Sequence, residues 1–390
     1  MNYKTKKESI KLKNNRVLLG MSGGVDSTVA AYLLKEKGYE VVGATMKLWV
    51  PENIKNTAIE DAKKMADKLG VEHHVIELED EFRNTVVKHF IDGYYEGTTP
   101  NPCVFCNKHI KFDLMFDVAD KLGCQYVATG HYSRIVKNEE TGKYELIKAV
   151  TEKKDQSYMM YNLNQEKLSR ILFPIGEYDK SEIRKIAEKA GLEVYNKPDS
   201  QDICFIPDGD YEKFIEKYSG RKDKQGKFVD SQGNEIGKHQ GITRYTIGQR
   251  KGLGITFGKP MYVIDINGRD NTVTLGENSD LFKNELIAKD VNFLEFSLEE
   301  LNNPLEVQSK IRYSSNLSYA VVTKIDNNRV KVVFKDPQRA ITKGQSVVFY
   351  DGNKLIGGGV IEWKNINLTI LLGYNKIVLE WNPSQLVWIN

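Results

Sequence analysis

Two groups of residues in this 390-residue chain could do chemistry: a glycine-rich loop and a small set of cysteines. The loop is residues 20–27 (GMSGGVDS), between a short apolar run and a helical pattern. Gly23 and Gly24 let the backbone approach an anion closely, and Ser22 and Ser27 add hydroxyl donors. The positive end of the following helix would point at the same place. The pattern predicts a phosphate-binding loop, although its spacing matches neither a Walker loop nor a dinucleotide fingerprint.

The alternative is a glycine turn that only closes a strand–helix unit. The complete string SGGVDS, placed after a strand and opening a helix, resembles the pyrophosphate-binding loop of the ATP pyrophosphatase superfamily. Enzymes of that superfamily split ATP between its α and β phosphates and adenylate a carbonyl oxygen. The resemblance implies that Asp26 helps to hold magnesium and pyrophosphate.

The second group is drawn from four cysteines, Cys103, Cys106, Cys124 and Cys204. Residues 99–108 (TPNPCVFCNK) join a loop to a helix, and the prolines prevent the helix from starting earlier. Cys106 is therefore expected near a helix N-terminus, where the dipole lowers the pKa of a thiol. Cys204 lies in a polar loop (DSQDICF). Two thiols placed in this way suit a sulfur relay.

Other roles of the cysteines depend on the residues around them. A zinc site needs four ligands, and the chain has only one C-x-x-C unit. A thioredoxin-like dithiol needs a different strand–helix context from the one that the phosphate loop indicates. Cys124 precedes a predicted strand and has no motif around it, which is typical of an inert buried thiol.

The elements that must position these residues alternate in the first half of the chain. Alternating strand and helix patterns predict an α/β fold with a doubly wound parallel sheet, covered on both faces. Strands are predicted at residues 16–21, 39–48, 72–78 and 125–129, and helices at residues 27–37, 59–69, 82–94 and 108–122.

After about residue 208, turn pairs separate short β-rich runs, which is the pattern of small antiparallel barrels. The runs are residues 261–265, 272–275, 305–311, 320–325, 330–334, 346–350 and 360–362. The polar segment 219–238 predicts a hairpin or a mobile loop. We therefore predict three domains: a catalytic domain (1–208), a small β-rich central domain (209–280) and a C-terminal β-barrel (281–390).

Composition limits the classes of function. The chain has 56 basic and 53 acidic residues, a net charge of +3, which does not by itself indicate nucleic acid. It has no run of eighteen apolar residues and no signal-peptide pattern, so no membrane span is predicted. Four cysteines are too few for a secreted disulfide scaffold of this size, and a cytoplasmic protein with reduced thiols is expected.

A set of longer strings covers nearly the whole chain and resembles the bacterial tRNA-specific 2-thiouridylase family. The strings are SGGVDS, NPCVFCNKHIKF, ATGHY, KDQSY, SQDICF, YTIGQRKGLGI and GQSVVFYDG followed by GGG. The resemblance implies a nucleotide α-hydrolase-like domain, a central domain that contacts tRNA, and a β-barrel. It also implies ATP-dependent 2-thiolation of the wobble uridine in tRNA anticodons.

In that family the uracil 2-carbonyl is adenylated, and sulfur then comes from a cysteine persulfide. The resemblance implies ATP and Mg²⁺, tRNAs for Lys, Glu and Gln as acceptors, and an upstream protein that carries persulfide sulfur. It makes Cys106 the nucleophile and Cys204 the persulfide carrier, which would end the reaction as a disulfide. The implied ATP-binding residues are Gly20, Met21, Ser22, Gly23, Gly24, Val25, Asp26, Ser27, Met46 and Gly130.

The resemblance also assigns residues to the RNA. Those beside the target base are Asn101, Pro102 and Cys103, and those contacting the rest of the tRNA are His131, Lys154, Asp155, Gln156, Arg312, Tyr313 and Gln345. One position departs from the family, because many members carry Asp where this chain has Cys103. The substitution creates a set of three thiols, Cys103, Cys106 and Cys204, which could instead ligate an iron–sulfur cluster.

Two rival functions stay open at this point. The first is a ligase that adenylates the carbonyl of a small molecule, which would need an amine source and no cysteine pair. The second is a non-catalytic RNA-binding protein, which would need no intact phosphate loop. Pyrophosphate release with and without tRNA separates all three.

Overall fold

The computed structural model of the protein describes residues 13–52, 57–197, 203–255 and 258–362. The strands of its N-terminal part are β1 (Lys13–Gly20), β2 (Glu40–Lys47), β3 (Glu72–Glu77), β4 (Cys124–Thr129), β5 (Ser133–Lys137), β6 (Tyr144–Lys148) and β7 (Ile171–Leu172). The α-helices are α1 (Val25–Glu36), α2 (Ala58–Leu69), α3 (Glu79–Phe82), α4 (Lys88–Tyr95), α5 (Pro102–Cys106), α6 (Asp113–Lys121), α7 (Gln165–Leu168) and α8 (Lys180–Lys189). Two π-helical turns are Arg83–Val87 and Asn107–Phe112.

The central sheet of this part is parallel, in the order β3-β2-β1-β4-β7. β1 shows why it is covered on both faces, because successive side chains of a strand point to opposite sides. Leu18 enters one core with Met115 of α6, whereas Val17 and Leu19 enter another with Val29 of α1. All three β1 side chains are fully buried. The predicted doubly wound α/β sheet is confirmed.

A small second sheet follows. The helix α9 (Tyr211–Tyr218) precedes this sheet. Its strands are β8 (Gly226–Val229), β9 (Glu235–His239), β10 (Tyr262–Asn267) and β11 (Thr272–Gly276). The strand order is β10-β11-β8-β9, around a core that contains Phe228 and Val273. Because β8 and β9 form an antiparallel pair, the hairpin predicted for the polar segment is confirmed.

The third unit is a closed barrel. Its strands are β12 (Phe282–Phe293), β13 (Leu305–Lys310), β14 (Ser318–Lys324), β15 (Val330–Arg339), β16 (Ser346–Asp351) and β17 (Lys354–Glu362). The order β12-β15-β14-β13-β16-β17 closes through pairing of β12 with β17. The β5–β6 hairpin, which the sequence did not predict, adds to this sheet through β17. Short 3₁₀ turns lie at Glu152–Lys154, Ser157–Met160, Glu193–Asn196, Ile242–Arg244, Asn278–Leu281 and Leu298–Glu300.

The predicted domain boundaries stay predictions. The three sheets follow the predicted order, yet α9, from the predicted central domain, packs into the core around Phe82 and Phe205 of the first. Residues 1–12 and 363–390 of the predicted first and last domains lie outside the described residues, as do Ser200, Gln201 and Asp202 of the SQDICF string. Within the described ranges, no helix has both the length and the apolar character needed to cross a membrane.

Candidate active site

The predicted phosphate loop connects β1 to α1 at the carboxyl edge of the parallel sheet. Gly24 is the N-cap of α1, and no side chain of the described chain caps this helix. The Ser27 hydroxyl accepts a hydrogen bond from the Ser22 amide at 3.1 Å and lies 3.2 Å from the Gly24 carbonyl oxygen. The first amides of α1 therefore have no side-chain acceptor, which is the arrangement that binds anions at helix N-termini.

Asp26, in the first turn of α1, is held by two side chains from distant parts of the chain. Lys180, the first residue of α8, donates to both carboxylate oxygens, with Nζ–Oδ1 2.8 Å and Nζ–Oδ2 2.7 Å. The Tyr132 hydroxyl donates to Oδ1 at 2.7 Å. The loop thus carries a carboxylate and an ammonium side by side, one suited to a metal ion and the other to phosphate oxygens.

Two glycines make room for this loop by close approach. A β-carbon on Gly23 would lie 2.7 Å from Cβ of Asp61 in α2, and Gly23 has a φ of 70°. A β-carbon on Gly130, which follows β4, would lie 2.8 Å from the Ser27 backbone nitrogen. Met46 lies half-buried near the end of β2. The predicted ATP-binding residues therefore gather at one edge of the sheet.

We predict that Gly130→Ala lowers the free energy of unfolding by roughly 1–3 kcal/mol, because the new methyl group would displace the backbone at the start of α1. Chemical denaturation measures this change. Gly24→Ala is the matched variant, since its β-carbon would have no atom nearer than 3.5 Å and its φ is −94°. Equal stabilities of the two variants would contradict the packing argument.

The cysteine motif lies on α5 and the helical turns after it. Asn101 is the N-cap of α5, and its side-chain oxygen accepts from the amides of Cys103 and Val104 at 3.1 and 3.2 Å. Pro102 occupies the first helical turn. Cys106 is the last residue of α5, so the thiol is not at the helix N-terminus. The prediction that the helix dipole lowers the pKa of Cys106 is wrong: the side chain is 5% exposed, and burial raises its pKa to about 12.

The structure brings the three thiols together around Lys111. The Lys111 ammonium interacts electrostatically with Cys106, Cys103 and Cys204. Desolvation raises the pKa of Cys204, although the residue is partly open to solvent, and Lys111 opposes that rise. Desolvation lowers the pKa of Lys111 itself, but the three thiols outweigh it and raise that pKa above its usual value. An ionised thiol in this group therefore keeps Lys111 positively charged.

The four cysteines all lie in the described part of the chain, and all four are free. Cys124 is fully buried at the start of β4, as expected for an inert thiol. No group of three potential ligands in the described ranges has the spacing of a metal site, and that includes the three thiols near Lys111. As placed here, the three thiols are therefore not grouped as ligands of an iron–sulfur cluster.

We expect iodoacetamide to label Cys106 in the tRNA-free protein at least about tenfold more slowly than Cys103 near pH 8. Burial blocks the reagent and keeps the thiol protonated, whereas Cys103 is exposed. Peptide mass spectrometry after timed quenching gives both rates. Cys124, also buried, is the internal reference. Equal rates at Cys103 and Cys106 would show that Cys106 is accessible.

His131 joins the phosphate loop to the thiol group. It follows Gly130 directly, and its ring lies 6.2 Å from the ring of Phe112, with Nδ1 2.7 Å from Oγ1 of Thr129. Desolvation, with a smaller contribution from Lys111, lowers the pKa of His131 to about 3, so the imidazole is neutral. The sequence predicted a tRNA contact here, and the structure places the residue between the two halves of the site.

The other residues predicted to contact tRNA divide into two groups. Lys154 and Asp155 come within electrostatic range of Tyr313, which is 39% exposed, so two distant segments meet on one surface. Asp155 itself is buried and accepts from the Ser157 hydroxyl at 2.7 Å. Gln156 accepts from the Tyr132 amide at 2.9 Å. These two side chains fix the turn that carries Lys154.

The second group of residues predicted to contact tRNA consists of Gln345 and Arg312. The Gln345 side-chain amide donates to the Thr99 carbonyl at 2.7 Å, and the Thr99 amide donates to the Lys343 carbonyl at 2.8 Å. The barrel therefore holds the loop that leads into α5. Arg312 is half-buried, and its carbonyl accepts from the Ser315 hydroxyl at 2.9 Å.

A cleft of about 1160 Å³ opens on one side of α5, where the three units meet. Its lining includes Asn101 and Phe105 from the cysteine segment, Asn267 and Arg269 from the central sheet, and Lys343 from the barrel. The three thiols do not line it. Sequence reasoning missed Lys111, Lys180 and Tyr132, although Lys111 and Tyr132 stand inside the strings NPCVFCNKHIKF and ATGHY.

Comparison with known proteins agrees with this geometry. Three family models match in succession: the tRNA methyl transferase HUP domain at residues 15–208, the tRNA methyl transferase PRC-barrel domain at residues 212–277, and the aminomethyltransferase β-barrel domain at residues 283–361. A tRNA-specific 2-thiouridylase MnmA of Clostridioides difficile (strain 630) is 55% identical over 357 residues, which is 90% of this chain and 98% of that protein. The chain belongs to the tRNA-specific 2-thiouridylase family.

A second member of the family, tRNA-specific 2-thiouridylase MnmA 2 of Clostridium botulinum (strain Langeland), is 55% identical over 354 residues, 90% of this chain and 99% of that protein. The prediction of the family, and with it of a tRNA sulfurtransferase, is confirmed. Among solved structures, a 4-thiouridine synthetase–RNA complex with bound ATP is similar to 52% of this chain and 50% of that chain, at 18% identity and a TM-score of 0.35. Similarity at that level does not bear on function.

Proposed function

We propose that the protein uses ATP to replace the 2-oxygen of the wobble uridine in tRNA with sulfur. The observation that carries the proposal is the convergence of Cys103, Cys106 and Cys204 on one cation, next to a loop built for phosphate. The three matching family models are named for methyl or aminomethyl transfer, but a group of thiols beside a phosphate loop supports sulfur transfer.

In the first half-reaction the uracil 2-oxygen attacks the α-phosphorus of ATP, and pyrophosphate leaves. The amides at the start of α1 and the hydroxyls of Ser22 and Ser27 would bind the departing pyrophosphate. The carboxylate of Asp26 fits a magnesium ion, which takes oxygen ligands from one or two carboxylates and from substrate phosphates. When bound, magnesium supplies positive charge to the phosphate oxygens.

In the second half-reaction sulfur displaces AMP from C2 of the adenylated base. Cys204 would arrive as a persulfide, loaded by an upstream protein. The Cys106 thiolate attacks the Cys204 sulfur, the sulfur–sulfur bond of the persulfide breaks, and hydrosulfide leaves to attack C2. Alternatively the terminal sulfur attacks C2 directly, and Cys106 then releases the product. Both routes leave a Cys106–Cys204 disulfide, which a dithiol reductant must reopen.

The partners follow from this chemistry and from the family. We infer that tRNAs for Lys, Glu and Gln are the acceptors, that the surface around Lys154 and Tyr313 contacts them, and that the reaction takes place in the cytoplasm. The target base must leave its stack to reach the site, which an anticodon-loop uridine does at low cost.

Unmodified tRNA, ATP and a persulfide-loaded donor protein test the proposal, with nucleoside mass spectrometry for 2-thiouridine and a pyrophosphate assay alongside. We expect 2-thiouridine only with all three, and pyrophosphate only with tRNA. Pyrophosphate release without tRNA would indicate a small-molecule ligase, and none under any condition would indicate an RNA-binding protein. An iron and sulfide assay on anaerobically purified protein should find neither, and a stoichiometric amount would contradict the relay.

A further inference from the structure

The helix that carries the cysteine motif changes its hydrogen-bond period immediately after Cys106. α5 ends at that residue, the π-helical turn Asn107–Phe112 follows, and α6 begins at Asp113. In a π-helical turn the i→i+5 hydrogen bond brings residues five apart to the same side, whereas an α-helix separates them by roughly 140°. Cys106 and Lys111 are five apart. The π turn therefore directs Lys111 towards the buried thiol.

The surroundings of Lys111 contain thiols and no carboxylate. In the described part of the chain, no acidic side chain forms an ion pair with it, and its electrostatic partners are Cys106, Cys103 and Cys204. A half-buried ammonium needs compensating negative charge nearby. The neighbouring His131 is neutral and cannot supply it. The three sulfur atoms are the groups that can.

We propose that Lys111 stabilises the negative charge on sulfur throughout the transfer, first on Cys106 and then on the departing hydrosulfide. This inference rests on the proposed function. When the Cys106 thiolate attacks the Cys204 sulfur, the new bond joins the two cysteines and the electron pair leaves with hydrosulfide. The charge thus moves between atoms that all lie around one ammonium. Burial raises the pKa of Cys106 and the Lys111 ammonium opposes that rise, so Lys111 favours the thiolate that the attack requires.

The test compares Lys111→Met with Lys111→Arg and with Lys108→Met. Lys108 lies on the same π turn with an exposed side chain, which makes it a matched control. Iodoacetamide labelling of Cys204 is followed from about pH 6 to about pH 10 by peptide mass spectrometry. We expect the pH midpoint of Cys204 labelling to rise by about one unit in Lys111→Met. This corresponds to about a tenfold lower labelling rate near pH 7. Lys111→Arg should restore most of the rate.

Single-turnover thiolation by Lys111→Met should fall at least about tenfold, while tRNA-dependent pyrophosphate release is unchanged. Lys111→Gln serves as the second neutral variant should Lys111→Met fail to fold. A neutral variant with the labelling curve and thiolation rate of Lys108→Met would overturn the inference. If the wild-type protein releases pyrophosphate but never forms 2-thiouridine, the proposed function fails instead, and the labelling curves still report on Lys111.

Discussion

Cys106→Ser and Cys204→Ser are each expected to lose thiolation of tRNA by roughly three orders of magnitude or more, while both still release pyrophosphate when tRNA is present. The reason is that the two half-reactions use different groups. Oxygen activation uses the loop at the start of α1, whereas sulfur delivery uses the thiols around Lys111. Serine cannot carry or cleave a persulfide, but it fills nearly the same space as cysteine.

Trapping of labelled sulfur is the sharper measurement. In Cys106→Ser loaded from a persulfide donor, the label should remain on Cys204 and be absent from Cys124, which is fully buried. Cys124→Ala is the control and should thiolate tRNA as the wild-type protein does. If Cys204→Ser forms 2-thiouridine at the wild-type rate with the same donor, the relay is wrong and Cys204 is an ordinary loop residue.

The parts of the site that the sequence predicted are those set by neighbouring residues. The phosphate loop needs only glycines between a strand and a helix, and both elements were predicted from their local patterns. Asn101 and the prolines likewise fix where α5 starts. The error at Cys106 came from burial, because the core in which the residue lies includes Phe90 and Phe205, which come from elsewhere in the fold.

The parts that it missed depend on long-range contacts or on a change of helical period. Lys180 reaches Asp26 from 154 residues away, and no local pattern records that contact. The π-helical turn lies inside a segment whose apolar spacing predicted an ordinary helix over residues 108–122. The β5–β6 hairpin is an exception, because its strands are neighbours in the chain and pair with each other, and the pair Lys354–Ile147 joins it to β17.

The carboxylate of Asp26 gives the second large effect: Asp26→Ala should lower tRNA-dependent pyrophosphate release by on the order of a hundredfold or more, with tRNA binding nearly intact. The side chain lies in the first turn of α1 between Lys180 and Tyr132, and it is not among the residues that we assign to tRNA. Its loss removes a ligand suited to magnesium and frees Lys180 from its ion pair.

Two further variants separate those effects. Asp26→Asn keeps an oxygen for the Tyr132 hydroxyl but removes the charge, so it should lose pyrophosphate release almost as completely as Asp26→Ala while remaining more stable to denaturant. Asp67→Asn, on the exposed face of α2, removes a carboxylate whose ion pair in the described part of the chain is with Lys63, and this variant should behave as wild type. An exposed ion pair of that kind contributes little to stability. Any loss of pyrophosphate release in Asp67→Asn would therefore reflect the change in net charge and not the site. Unchanged pyrophosphate release in Asp26→Ala would show that the loop is not part of the ATP site, whether or not the thiols transfer sulfur.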